Sequence, residues 1–198
     1  MTRTLEFYYD YGSPYSYLAD TQVEAIAKRA GATLVRKPML LGGVFKATGN
    51  SSPAALAQKS RWSAFDMPMW ARHYGVPFRR NPFFPVNTLA LMRGAAAAQI
   101  DGLFERYHPA IYEAMWVDGR NLNDIAEVAE VLTAAGLDAR QFGTRIQDQD
   151  AKDRLKATTD EAVARGVFGA PTSFVGDMMF FGNDRLPFVE MALKGELK

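Results

Sequence analysis

Leu5-Glu6-Phe7-Tyr8-Tyr9-Asp10-Tyr11-Gly12-Ser13-Pro14-Tyr15-Ser16-Tyr17-Leu18 is the stretch that decides how this chain folds. Its first half is poor in β-branched residues but rich in aromatics, which suits a buried strand. Its second half opens a helix. Ser13 stands where an N-cap belongs, and Pro14 at the first helical position, where a missing N–H costs nothing. A hydroxyl is thus presented where a strand ends and a helix dipole begins. Free backbone N–H groups converge there and favour an anion. Ser13-Pro14-Tyr15-Ser16 also has the frame of a Cys-Pro-x-Cys redox motif with a hydroxyl in place of each thiol. Read by itself, Ser13 is first of all a helix cap.

Outward from this segment, the helix is expected to run to about Arg29 and to stop at Gly31. Ala32 to Arg36 reads as a second strand, which completes a βαβ unit with a parallel pair and a right-handed crossover. Leu40 to Gly49 is Gly-rich and reads as a loop. From Pro53 to about Gly166 the pattern is mostly helical. Leu56, Trp62, Phe65, Met69 and Trp70 make an imperfect apolar stripe, and Pro68 is expected to kink or split the helix that carries them. Gly75-Val76-Pro77 ends it, and Arg79 to Pro85 reads as a loop. Further helices are expected from Asn87 to about Gln99, from Leu103 to Trp116, along Ile125, Val128 and Leu132 up to Gly136, after the cap Asp138, and from about Asp150 to Arg165. Their aromatic and Met side chains are expected in the core. Thr172–Val175 and Met178–Phe181 flank Gly176-Asp177 and read as a hairpin. Asn183 or Asp184 is expected to cap a last helix from Leu186 to about Leu193.

The order is β-α-β, then helices, then β-β-α. This is an α/β arrangement of the thioredoxin type with helices inserted between its halves: 1–39, an insertion over 40–166, and 167–198. Pro171 stands directly before the third strand. In such a fold a cis-proline faces the first helix at this point, and the peptide before it offers an N–H and a C=O to an extended ligand.

The composition is that of an ordinary globular protein, with 48% hydrophobic and 23% charged residues among 198. A net charge of +1 with no basic stripe argues against nucleic acid as a partner. The chain has no cysteine, so disulfides, thiolate metal sites and a dithiol redox cycle are excluded. His73 and His108 belong to no ligand-spaced motif, and no metal is expected. Ser13 lies outside any Gly-x-Ser-x-Gly elbow, which disfavours a Ser-His-acid triad. No apolar run reaches the roughly 18 residues that span a membrane. Met1-Thr2-Arg3-Thr4 leads directly into a strand without a signal peptide, so a cytoplasmic enzyme or binding protein is expected.

Four pieces then stand in order: Tyr9 to Leu18, Lys46-Ala47-Thr48-Gly49-Asn50, Val167-Phe168-Gly169-Ala170-Pro171-Thr172, and Phe181-Gly182-Asn183-Asp184-Arg185. Together, and over nearly the whole chain, they resemble the 2-hydroxychromene-2-carboxylate isomerases and their relatives, the kappa-class glutathione transferases. The resemblance implies a homodimeric, glutathione-dependent isomerase of naphthalene-type aromatic catabolism. Such an enzyme interconverts 2-hydroxychromene-2-carboxylate and trans-o-hydroxybenzylidenepyruvate. The cofactor-binding positions it implies are Ser13, Asn50, Ala170, Pro171, Phe181, Gly182, Asn183 and Asp184. Ser13 would hydrogen-bond the glutathione sulfur, Ala170 would pair its backbone with the cysteinyl part, and Asn183 and Asp184 would hold the γ-glutamyl end. Both of these last residues also read as plain caps.

Physical chemistry supports the role given to Ser13. A thiol of pKa near 8.5 is mostly protonated at neutral pH, and a donor at a helix N-terminus lowers that value. One unit is about 1.4 kcal/mol, within reach of one charge-assisted hydrogen bond. For the aromatic carboxylate substrate, Phe45, Phe84 and Trp116 are candidate walls, and Lys46, Asn87 and Arg80 candidate polar partners. Some isomerases carry a lysine one place earlier than Lys46, where this chain has Phe45. Two other functions remain open at this level. One is a kappa-like transferase or peroxidase. The other is a non-catalytic thioredoxin-like module that uses only the strand edge at Pro171.

Overall fold

The computed structural model describes residues 2–197. Strand β1 (Thr4–Tyr9) leads through helix α1 (Pro14–Arg29) to β2 (Thr33–Pro38). A helical stretch follows: α2 (Leu41–Thr48), α3 (Ala57–Tyr74), α4 (Leu89–Ile100), α5 (Phe104–Glu113), α6 (Ile125–Ala134), α7 (Ala139–Arg145) and α8 (Gln149–Ala164). The chain closes with β3 (Thr172–Val175), β4 (Met178–Phe181) and α9 (Leu186–Lys194). The sheet order is β2-β1-β3-β4. β1 and β2 run parallel, with Thr4 opposite Thr33 and Tyr9 opposite Pro38. β3 runs antiparallel to β1, with Leu5 opposite Val175, and pairs with β4 as a hairpin. The β-α-β and β-β-α halves therefore meet at β1, as expected of a thioredoxin-type sheet. No described helix is long and apolar enough to cross a membrane.

Strand alternation sends Leu5, Phe7 and Tyr9 into one buried cluster with Leu18 and Val23 of α1 and Val189 of α9. Tyr8 points the other way and packs with Val44, Ala162, Val167 and Phe174. Packing runs across the expected divisions at 39/40 and 166/167, since Val44 of α2 and Ala162 of α8 cover the sheet face that carries Tyr8.

Four local expectations are corrected. Leu40 to Gly49 is not a loop, because residues Leu41–Thr48 form α2. Its orphan N–H groups are satisfied from far along the chain: Leu41 N donates to Asp10 Oδ2 at 2.8 Å, and Leu40 N to Thr159 Oγ1 at 2.9 Å. Of the two outcomes expected at Pro68, splitting does not occur: α3 continues through it. Pro68 and Ala64, whose carbonyl it cannot bond, both lie on the exposed side, so the carbonyl left without its donor is not buried. Most of the stripe is not core: Trp62 is 60% and Phe65 66% exposed, with Leu56 and Met69 exposed beside them, and Trp70 alone packs against the core. Ile125, at the first position of α6, is likewise open to solvent. Neither Asn183 nor Asp184 caps the last helix. A 3-10 turn over Asn183–Arg185 intervenes, entered through Gly182 at φ +100°, and Arg185 stands at the start of α9 without a side-chain cap.

Candidate active site

Ser13 is buried at the N-terminus of α1 and caps it, with Ser16 N donating to its Oγ at 3.1 Å. The Ser13 hydroxyl donates in turn to the Ala170 carbonyl at 3.0 Å. The Ala170–Pro171 peptide bond is cis. The strand–helix junction and the turn before β3, 157 positions apart, are thus in direct contact. A hydroxyl rotates freely, so this proton can leave the Ala170 carbonyl for an anion at the helix mouth. That move leaves the carbonyl open to accept an N–H.

Asp10 holds this corner in place. Its buried carboxylate accepts from Gly12 N at 2.8 Å, and its other oxygen accepts from Leu41 N at 2.8 Å. Burial raises its pKa, and the Leu41 and Gly12 N–H groups with the Thr88 hydroxyl pull it only part of the way back. The loop that presents Ser13 is therefore tied to the start of α2. Asp10→Ala orphans both donors, and each such loss costs about 1–3 kcal/mol when the group stays buried. These N–H groups are half-buried, so we expect a total loss of about 2–3 kcal/mol, read from the urea midpoint at constant m-value.

A cavity of about 130 Å³ opens beside Ser13, close in size to engineered cavities that hold one benzene ring. Phe45 and Leu41 of α2, Met67 of α3, Phe84, Trp116 and Phe181 form its apolar lining. Trp116 is fixed by its indole N–H, which donates to the Tyr11 carbonyl at 2.7 Å, and by the Phe78 and Phe84 rings at 6.0 and 6.1 Å. Behind it the Tyr11 hydroxyl meets His108 Nδ1 at 3.0 Å, and His108 Nε2 lies 3.1 Å from Asp20. Burial alone would push the Asp20 carboxyl up; His108 and Arg36 outweigh it and hold the carboxyl below its usual range. Tyr15 bonds Asp66 of α3 at 2.8 Å, so α1 and α3 close one wall together. Among the described residues no cluster of His, Asp and Glu could hold a metal ion.

Of the candidate residues, Ser13, Phe45, Asn50, Arg80, Phe84, Trp116, Ala170 and Phe181 line this cavity. Asn50 Nδ2 donates to the Phe168 carbonyl at 2.8 Å, which ties the end of α2 to the turn before Pro171. Asn183 is buried one turn beyond β4, its carbonyl accepting from the Tyr74 hydroxyl at 2.9 Å. Asp184 is exposed beside it. Gly182 N donates to the Pro171 carbonyl at 3.0 Å, so Pro171 and Gly182 support the site without lining the cavity. Lys46 and Asn87 are not brought in. Lys46 is exposed on α2, and Asn87 spends its side-chain oxygen on Leu89 N in a different groove. Ser52, Ser60, Ser63 and Met67 line the cavity and were not expected there. Their signal was present: Ser60, Ser63 and Met67 follow helical spacing on the face of α3 opposite Trp62 and Phe65.

Residues 4–194 match the DSBA-like thioredoxin domain family. The 2-hydroxychromene-2-carboxylate isomerase of Sphingobium xenophagum is 32% identical over 98% of this chain and 99% of its own. Human glutathione S-transferase kappa 1 is 29% identical over 94% of this chain and 88% of its own. A solved structure of a 2-hydroxychromene-2-carboxylate isomerase superimposes with a TM-score of 0.84 at 31% identity, covering 98% of this chain and 95% of that one. The chain thus belongs to the DSBA-like thioredoxin domain family and, within it, to the 2-hydroxychromene-2-carboxylate isomerases.

Proposed function

We propose that this protein is a glutathione-dependent isomerase that interconverts 2-hydroxychromene-2-carboxylate and trans-o-hydroxybenzylidenepyruvate, in the breakdown of naphthalene-type aromatics. The observation that carries the reading is the rotatable Ser13 hydroxyl at the mouth of α1, 3.0 Å from the Ala170 carbonyl and beside a cavity of one-ring size in a chain without cysteine. Glutathione, when bound, would supply a thiolate nucleophile whose addition and later elimination would let the conjugated bond rotate and then be restored. The residues present fit the tripeptide. The Ala170 N–H makes no hydrogen bond within the described residues, and its carbonyl is released when the Ser13 proton turns away. These two groups can pair with a cysteinyl backbone as an added strand does. Ser13 donates to the sulfur, and the α1 N-terminus stabilises its negative charge. Asn50, Pro171, Phe181 and Gly182 shape the tripeptide groove; Asn183 and Asp184 hold the γ-glutamyl end, Asp184 taking its ammonium and the adjacent helix N-terminus its carboxylate. Phe45, Phe84 and Trp116 stack on the aromatic ring and keep water from the reacting chain.

The reading includes a homodimer in the cytoplasm, where reduced glutathione is available. The exposed apolar side of α3, with Trp62 and Phe65 next to each other, supports a second copy there. The test is isomerisation of 2-hydroxychromene-2-carboxylate by exhaustively dialysed protein, with and without added glutathione. Turnover is expected only with glutathione. Full turnover without it would overturn the proposal, and conjugation of a generic electrophile at a higher rate than isomerisation would move the protein to a kappa-type transferase.

A further inference from the structure

We infer that Arg80 anchors the carboxylate of the substrate and makes this enzyme selective for anionic aromatics, an inference that rests on the isomerase reading above. Arg80 alone among the residues lining the Ser13 cavity carries a formal charge; no Asp or Glu lies there to neutralise it. Its guanidinium is also free to engage a ligand. Within the described residues its only bond is a long one, 3.4 Å, to the Ser60 hydroxyl. Arg36, Arg145 and Arg165, by contrast, are each held on a carboxylate at 2.7–2.9 Å.

The backbone under Arg80 is held on both sides. Arg79 N donates to the Trp116 carbonyl at 2.6 Å, and its guanidinium to the Asp118 carbonyl at 3.1 Å. Asn81 is buried and donates to the carbonyls of Met115 and Arg120 at 3.0 and 2.9 Å. One of two adjacent arginines is therefore spent on structure, and the other is delivered to the cavity from a fixed base. The competing cations are elsewhere: Lys46 is exposed and does not line the cavity. Phe45 is an apolar wall. A planar guanidinium takes both oxygens of a carboxylate at once, and Arg80, exposed at the cavity mouth, offers that fork to an incoming anion. Ser60 and Ser63 at the same rim offer hydroxyls to an oxygen neighbouring the carboxylate.

The test uses the full-length protein and two unreactive probes, trans-2-hydroxycinnamate and its uncharged amide, titrated against wild type, Arg80→Gln and Arg80→Lys. Loss of an exposed bidentate charged contact predicts that Arg80→Gln binds the carboxylate about fivefold more weakly and the amide within about twofold of wild type. Arg80→Lys is expected between the two, because charge is kept and the fork is lost. Glutathione affinity should stay within about twofold in every variant, since Arg80 is not among the residues that hold the tripeptide in this reading. If Arg80→Gln binds the carboxylate as tightly as wild type, or loses the amide equally, the inference is overturned whether or not the enzyme turns over. If the binding difference appears but wild type shows no glutathione-dependent isomerisation, the anion site stands and the isomerase reading falls.

Discussion

Ser13→Ala is expected to slow isomerisation by about 10²–10³-fold at neutral pH while the protein stays folded, the loss typical of one preorganised donor to a developing or resting anion. The structure separates two jobs of this hydroxyl. As a cap it accepts from Ser16 N, and losing that bond costs about 1 kcal/mol of stability. As a donor its proton rests on the Ala170 carbonyl and is available to sulfur, a contact worth about 2.7–4 kcal/mol of barrier by the same comparison. Ser13→Asp tells the two apart. Aspartate keeps the cap to Ser16 N but cannot donate to the Ala170 carbonyl, so some stability is lost through that contact alone, while a carboxylate beside a thiolate repels it and activity should fall at least as far as in Ser13→Ala. The pH dependence has a definite sign. Without the donor the bound thiol's pKa rises, fewer molecules are ionised near neutrality, and the deficit narrows as pH passes about 8.5 and the thiol ionises unaided. A rate–pH profile of both proteins, with the thiolate followed by its ultraviolet absorbance, reads this directly. A Ser13→Ala enzyme with wild-type turnover would remove Ser13 from the reaction, and a deficit constant across pH would mean that it acts on something other than ionisation.

Most of this corner was legible in the chain because the signals are local. A cap followed by proline, a proline before a strand, and two hydrophobic runs around Gly176-Asp177 each state their structure within a few residues. The misreadings share a different cause. α2 looked like a loop because Gly42 and Gly43 are poor helix formers, and its start is satisfied by Asp10 and Thr159, which no local window includes. The stripe on α3 was read with the right period but onto the wrong side. Trp62 and Phe65 do share a face, yet the face turned inward is the other one, which mixes Ser60, Ser63 and Asp66 with Met67 and Ala71. Hydrophobicity tells which residues prefer burial, not whether the body of a single chain lies there to bury them. The polar part of the cavity was illegible for the same reason: Lys46, Asn87 and Arg80 were equal candidates until packing chose between them. Resemblance supplied the order of the motifs, and geometry supplied which side chains reach the cavity.

The second large effect lies where α4 crosses α5. Gly94 sits inside α4, where a Cβ would lie 2.1 Å from the Tyr107 hydroxyl and 2.6 Å from its ring carbon. That ring cannot move aside. Tyr107 is fully buried, its hydroxyl donates to the Leu91 carbonyl at 2.8 Å, and its ring stacks on Phe142 at 5.0 Å. Relief requires α4 and α5 to separate, which loosens the packing of Leu91, Met92 and Ala95 in the cluster that carries the sheet. Overpacking of this kind costs about 1–3 kcal/mol and sometimes more, against a gain of about 1 kcal/mol from replacing a helical glycine by alanine. At 2.1 Å the upper end applies, and we expect Gly94→Ala to lose about 2 kcal/mol net, or roughly 4–8 °C in Tm for a chain of this size. Gly143 in α7 is the matched control. Its Cβ meets nothing within 4 Å and its φ is not left-handed, so only the propensity gain remains. Gly143→Ala should therefore stabilise the protein by about 0.5–1 kcal/mol. The same chemical change thus carries opposite signs at two helical glycines, decided by one tyrosine ring. Equal melting shifts in the two variants would show that α4 and α5 do not meet as closely as the Gly94–Tyr107 contact requires.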